Sequence, residues 1–195
     1  MRALWFLGAT GSVGTRVLAQ LTQRSNFSRL VTIGRRATSF DVEHHATDFS
    51  AEFPLPDGPV TDVVSTLGSN YVTASREEFW RIDHDVPLRV AREAHRRGAR
   101  RFVLVSTFGA HPLAPMIFAR ARGVLERELA RLGFDDLVCL RPAFVTDSDI
   151  ARTPLERLAL RLTSSLAARS ERFARSALAP TTCDRVADEV VRHLV

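Results

Sequence analysis

Three glycines spaced three apart, Gly8, Gly11 and Gly14, lie in the stretch GATGSVG, with Thr10, Ser12 and Val13 between them. Glycine at such intervals suits the approach of backbone amides to a bulky anion. The first glycine allows a tight turn, the second lets the chain come close to a pyrophosphate, and the third lets a helix pack against the preceding strand. The amides that open that helix would receive the phosphates. Arg35 and Arg36 add two planar, permanently charged guanidinium groups, which match a phosphate dianion. Asp48 can accept a hydrogen bond from an adenine amino group, with Phe49 beside the ring. Ser106 and Thr107 bring hydroxyls, and His111 brings an imidazole that titrates near neutrality and can move a proton. Tyr71 is the single tyrosine, and all 27 basic residues are arginine, so lysine chemistry is excluded. His44-His45 and the two cysteines lack metal-ligand spacing, no metal is expected, and no Gly-x-Ser-x-Gly hydrolase motif is present.

These groups need elements to hold them. Ala3–Leu7 is an apolar run of strand length and a helical pattern follows the glycines, so strand, turn and helix succeed one another in the order a dinucleotide fingerprint requires. Further strands are expected at Leu30–Ile33, closed by Gly34, Arg35 and Arg36, at Glu43–Ala46, at Val60–Leu67, at Arg101–Ser106 and at Leu137–Leu140. Helices are expected from Ser75, where Ser75 and Glu78 form a capping box, from Ile117 to a stop at Gly133, and over Thr182–Leu194. Pro87 should bend or split the first of these. Alternating strands and helices imply an α/β fold: a doubly wound parallel sheet of Rossmann type, in a single domain with a small helical elaboration near the C-terminus. Residues 1–145 form the expected cofactor-binding core, 146–180 a substrate cap or interface region, and 181–195 a terminal helix. Within the middle region, Thr153-Pro154 reads as a helix start, and Leu155–Leu166 carries a leucine stripe that would cap a cleft, meet a second subunit or lie on an anionic membrane, with the first two favoured because such a stripe usually meets protein. A homodimer is one expected outcome.

In such a sheet ligands bind outside the carboxyl ends of the strands, which places Thr66, Leu67 and Gly68, and then Ser106 and Thr107, beside a cofactor. The position that ends the second strand reads the adenosine ribose. It carries Gly34-Arg35-Arg36 and no carboxylate, so NADP(H) is expected in preference to NAD(H). Hydrophobic residues make up 45% of a 195-residue chain with a net charge of +5. The arginines spread over helix faces without a basic arm, so no nucleic-acid partner is expected. No run of apolar residues reaches membrane-spanning length, no signal peptide is read at the N-terminus, and two cysteines suit a reducing cytoplasm.

The order GATGSVG, IGRR, TDF, STLG, VLVST, FARAR and LRPAFV, running from Gly8 to Val145, resembles the atypical short-chain dehydrogenase/reductases. Within them it is similar to the Tat-interacting-protein oxidoreductases, with NmrA-like proteins and biliverdin reductase B further out. The resemblance implies that Asp48 serves the adenine. It also implies that Pro142, Ala143, Phe144 and Val145 meet the nicotinamide amide, and that Ser106 is the catalytic serine. Those enzymes place a Tyr-x-x-x-Lys pair on the next helix, where this chain has Phe118 and Arg122. Phenylalanine has no hydroxyl to donate, while arginine could still grip a ribose hydroxyl but stays protonated. Two readings follow. One is an oxidoreductase for a flavin, quinone or small carbonyl acceptor, with Ser106, Thr107, Tyr71 or His111 supplying a hydrogen bond or proton. The other is a non-catalytic NADP(H)-binding sensor or regulator that acts through a protein partner.

Overall fold

In a computed structural model of the protein, residues 1–24, 27–50, 52–69, 74–147, 160–165 and 179–195 are described. Six strands, β1 (Ala3–Leu7), β2 (Arg29–Gly34), β3 (Glu43–Ala46), β4 (Asp62–Ser65), β5 (Arg101–Val105) and β6 (Asp136–Leu140), form one parallel sheet in the order β3-β2-β1-β4-β5-β6. The chain first builds outward from β1 through β2 to β3. It then crosses back to lay β4 on the other side of β1, with Leu7 opposite Ile33 in one direction and Ser65 in the other. This reversal beside β1 opens a crevice at the carboxyl ends of β1 and β4.

The helices among the described residues include α1 (Ser12–Arg24), α2 (Arg76–Trp80), α3 (Val86–Arg96), α4 (Ile117–Leu132) and α5 (Cys183–Arg192). Successive strand residues face opposite sides, so the central strands feed two cores. Trp5, Leu7, Val63, Phe102 and Leu104 pack under α3 and α4, against Val90, Ala94, Leu125 and Leu129. Leu4, Phe6, Val64 and Val103 pack under α1 and α5, against Leu18, Leu21, Val190 and Leu194. Burial on both faces explains why β1 reads as the unbroken apolar run ALWFL.

The local signals act as their chemistry requires. Ser75 caps α2 by accepting a hydrogen bond from the Glu78 amide. Gly133 ends α4 in the left-handed region at φ 82°, where a side chain would be strained. Pro87 does interrupt its helix, and the interruption takes the form of a π-helical turn over Arg81–Asp85 between α2 and α3. Proline offers no amide to the carbonyl one turn back, and the wider turn places it at the start of α3, where none is needed. β4 is shorter than its apolar pattern suggests. Thr61 and Thr66 still donate their amides to Ala3 and Leu7 of β1, while the Thr61 hydroxyl accepts from the Ala3 amide and the Thr66 hydroxyl donates to the Gly8 carbonyl. Tyr71, the Thr153-Pro154 helix start and all of the Leu155–Leu166 stripe except residues 160–165, which are helical, lie outside the described residues. Among the described residues no helix is long and apolar enough to cross a membrane.

Candidate functional site

The β1–α1 turn is built so that side chains cannot enter it. Gly8 has φ 82°, and a Cβ there would lie 2.5 Å from the Leu67 amide nitrogen. A Cβ on Gly14 would lie 2.0 Å from the Gly8 carbonyl oxygen and 2.8 Å from Thr66 Oγ1. Gly11 differs: its Cβ would meet only the Gly8 oxygen, at 3.4 Å, and otherwise points into open space. The outer glycines therefore close the packing of helix, strand and β4 loop, and the middle one leaves a gap above the turn. The Gly11 amide closes that turn by donating to the Gly8 carbonyl, and Thr15 bonds back to Gly11 to begin α1. Amides in the first turn of a helix have no helical carbonyl ahead of them. No acidic side chain occupies the first turn of α1 to compete for them. Such a donor set fits a diphosphate.

Above the turn lies a cavity of about 370 Å³, walled by Gly8–Gly11, by Thr32–Arg36 at the end of β2, and by Thr66–Ser69 after β4. His44, Phe49, Glu78 and Ile82 complete its far side. Of the residues expected to bind a cofactor, the structure brings Gly8, Thr10, Gly11, Arg35, Arg36, Phe49, Thr66, Leu67 and Gly68 to this one cavity. Arg35 and Arg36 are exposed, and among the described residues neither side chain has a hydrogen bond or ion pair. Thr32, His44, Ser69, Ala74 and Ile82 also line the cavity and carry no motif by which they could have been found, and Ile33 and Glu78 join them from the IGRR stretch and the α2 capping box.

Phe49 is the one described residue other than glycine with positive φ, 59°. Its buried ring packs edge-on against Phe53 at 5.5 Å, and its carbonyl accepts from Arg81. Asp48 does not line the cavity. Its carboxylate accepts from the Ser50 amide at 2.8 Å, and that bond holds its pKa below the usual aspartate value.

Residues from the next strands assemble beside the cavity, outside its walls. Ser106 donates its amide to Leu140 and Phe108 donates to Pro142, which ties the segment after β5 to the Pro142 turn after β6. Thr181 donates to Phe144 and pairs with Val145, joining that turn to the start of α5. Ser12 and Val13 belong to the first turn of α1, with Gly14, and Thr107 precedes the Gly109 turn. The Ser106 hydroxyl is buried with no partner among the described residues, a polar atom that a ligand group could satisfy. His111 is exposed, and its Nδ1 accepts from the Leu113 amide. Phe118 and Arg122 lie one turn apart on α4.

Arg122 does something the sequence did not indicate. Its guanidinium is buried, and Nη2 donates to the Leu67 carbonyl at 2.5 Å and to Asp83 Oδ1 at 2.8 Å. Asp83, in the π-helical turn, accepts through Oδ2 from both the amide and the hydroxyl of Ser69. Arginine and aspartate together brace the Leu67–Ser69 wall of the cavity, so the guanidinium expected to grip a ribose hydroxyl already has Nη2 engaged. Nη1 is fully buried without a partner among the described residues.

Both cysteine thiols are held in the protonated form. Burial, helped by the charge of Glu126, pushes the Cys139 thiol up to about 12, and burial pushes Cys183 up to about 11. Among the described residues there is no group of three or more metal-ligating side chains.

A family model described as "NAD dependent epimerase/dehydratase family" matches residues 6–117, more than half the chain. The chain belongs to this family. The relation covers the glycine turn, the Arg35-Arg36 turn and the β4 loop, and it implies a nicotinamide dinucleotide cofactor. "Protein fmp52, mitochondrial" from Emericella nidulans is 29% identical over 169 residues, covering 78% of this chain and 71% of the relative. A short chain dehydrogenase family protein from Francisella tularensis shares the fold at a TM-score of 0.69 and 12% identity, covering 100% of this chain and 91% of that one. The Bordetella bronchiseptica enzyme WbmH, solved in complex with NAD+, shares it at 0.68 and 16% identity, over 100% of this chain and 72% of that one. The expectation of a cytoplasmic protein is overturned by the curated relatives, whose names place them in mitochondria. Two unbridged cysteines do not single out the cytosol.

Proposed function

We propose that this chain is an NADP(H)-binding oxidoreductase of the short-chain dehydrogenase type that works without the usual tyrosine–lysine pair. One observation carries the cofactor choice: Arg35 and Arg36, with no salt-bridge partner among the described residues, line the same cavity as the Gly8–Gly11 turn. A 2′-phosphate on the adenosine ribose would meet two cations there and no carboxylate on the β2 turn. Gly8, Gly11 and Gly14 shape the seat for the diphosphate, with Thr10, Ser12 and Val13 supplying the turn and the first amides. Phe49 would flank the adenine, and Thr66, Leu67 and Gly68 the ribose next to the diphosphate.

When bound, the reduced nicotinamide supplies a hydride. Pro142, Ala143, Phe144 and Val145 would hold its amide, beside Ser106 and Thr107. The buried, unpartnered hydroxyl of Ser106 is placed to hydrogen-bond an acceptor oxygen or nitrogen. Phe118 has no proton to give. Arg122 is committed through Nη2 to Leu67 and Asp83, and its Nη1 remains as a fixed cationic donor. A site so poor in proton donors suits an acceptor that takes hydride with little proton assistance, such as a flavin or quinone. Phe108, Leu113 and Met116, apolar and exposed after β5, suit the flat apolar face of such a molecule.

The test is direct. NADPH is oxidised in the presence of a flavin or quinone, and Ser106→Ala slows turnover while leaving NADPH affinity in place. NADPH bound without oxidation across flavins, quinones and small carbonyl compounds would favour the second reading, a non-catalytic sensor; Phe118 and the braced Arg122 support that alternative. Arg35→Ala with Arg36→Ala is expected to weaken NADPH binding by roughly 1.5–3 kcal/mol per lost contact and NADH binding far less. Equal losses, read by calorimetry, would remove the 2′-phosphate assignment.

A further inference from the structure

His44 lines the cavity alongside Arg35 and Arg36, although no motif marks it. In the β2–β3 register it lies opposite Thr32, two residues before the Gly34–Ala46 pair at the strand ends, so its ring sits below the arginine turn. Thr32 is buried and fixes the ring: Thr32 Oγ1 and His44 Nδ1 are 3.0 Å apart, and the same hydroxyl reaches the Glu43 carbonyl at 3.3 Å. When the hydroxyl proton points to Glu43, Nδ1 must carry the ring proton, and Nε2 of the neutral ring is a bare acceptor. Protonation then turns Nε2 into a charged donor without moving the ring. Among the described residues Nε2 has no partner.

The charged surroundings favour an anion. Arg35 and Arg36 line the same cavity from the turn after β2, and Glu78 lines it from α2. On β3 itself, the Glu43 carboxylate is engaged by Arg29, and His45 points to the other face, where Nε2 meets the Pro54 carbonyl. No acidic group on the strands that flank His44 remains to neutralise an imidazolium.

Resting on the NADP(H) reading above, we infer that His44 is a third member of the 2′-phosphate site and helps to set the preference for the phosphorylated cofactor. Its imidazolium joins Arg35 and Arg36 around the phosphate, held in place by Thr32. A phosphate within hydrogen-bonding reach stabilises the protonated ring.

Adenosine 2′,5′-bisphosphate and 5′-AMP, which differ only in the 2′-phosphate, are the probes, and the His44 ring is followed by NMR across a pH titration of the full chain. The bisphosphate is expected to raise the His44 pKa by about one unit or more, and 5′-AMP to leave it in place. His44→Gln keeps a neutral polar ring-sized group. It is expected to lower the ratio of NADPH to NADH affinity several-fold at pH 6 and by less as the pH rises. Comparing the variant with the native chain at each pH cancels the titration of the ligand phosphate itself.

An unmoved His44 resonance with the bisphosphate bound, or an NADPH preference unchanged in His44→Gln at pH 6, overturns the inference and leaves the NADP(H) reading standing on Arg35 and Arg36. A native chain that binds both probes equally overturns the two together.

Discussion

Replacing Asp83 with alanine is expected to destabilise the protein by about 3–5 kcal/mol, the range for removing one partner of a buried ion pair. Asp83 and Arg122 have side chains only 6% and 8% exposed, and the carboxylate bonds Arg122 on one side and Ser69 on the other. Without it, a guanidinium that already has one unpartnered nitrogen loses its counter-charge, and the Ser69 amide loses its acceptor. Both losses are expensive because the groups left behind are buried. The pair is worth less than its breakage suggests. Asp83→Leu with Arg122→Met removes both charges together and should be far less destabilised than the sum of the single changes.

Urea denaturation of the single and double variants measures this coupling. A loss below about 1 kcal/mol for Asp83→Ala, or strict additivity in the double variant, would show that the brace contributes nothing. Binding should follow stability here, since the braced segment Leu67–Ser69 is one wall of the cavity.

The parts of this molecule that could be read in the sequence are those whose cause is local. Gly133 ends α4 because the residue after a helix often needs a left-handed backbone, and Ser75 caps α2 three residues before the amide it bonds. The apolar run of β1 reports burial on both faces, and the Gly8–Gly14 spacing reports a turn within seven residues. What stayed hidden depends on partners far along the chain. Asp83 meets Arg122 across 39 residues, and neither type nor spacing marks the pair. The same separation misled the reading of Arg122. A motif position says which residue could approach a ribose, but not that a buried carboxylate has claimed the guanidinium. Asp48 shows the reverse case, a local Asx turn in which one carboxylate oxygen accepts from the Ser50 amide. His44 came to the cavity only through the β2–β3 register, which a four-residue strand does not announce.

The glycine turn allows a sharper test of how the site is built, since its glycines serve different ends. Gly14→Ala places a methyl group 2.0 Å from the Gly8 carbonyl oxygen and 2.9 Å from the Ala9 Cα. Both obstacles are backbone, and the oxygen is already held by the Gly11 amide and the Thr66 hydroxyl. Relief requires α1 to move away from β1 and the β4 loop. The substitution should cost roughly 1–3 kcal/mol of stability, the range for overpacking. Nucleotide affinity should fall more than about tenfold, because the amides of α1 leave their positions.

Gly11→Ala is the control. Its methyl group touches one atom at ordinary contact distance, so the fold should lose no more than about 1 kcal/mol, the difference expected at a helix N-cap. Yet that methyl group projects into the gap above the turn, where a diphosphate would come closest. Affinity should therefore fall although stability does not. Denaturation paired with NADPH titration separates the two effects. If Gly11→Ala bound nucleotide as well as the native chain, the gap above the turn would not be the diphosphate seat, however well the strands and helices around it had formed.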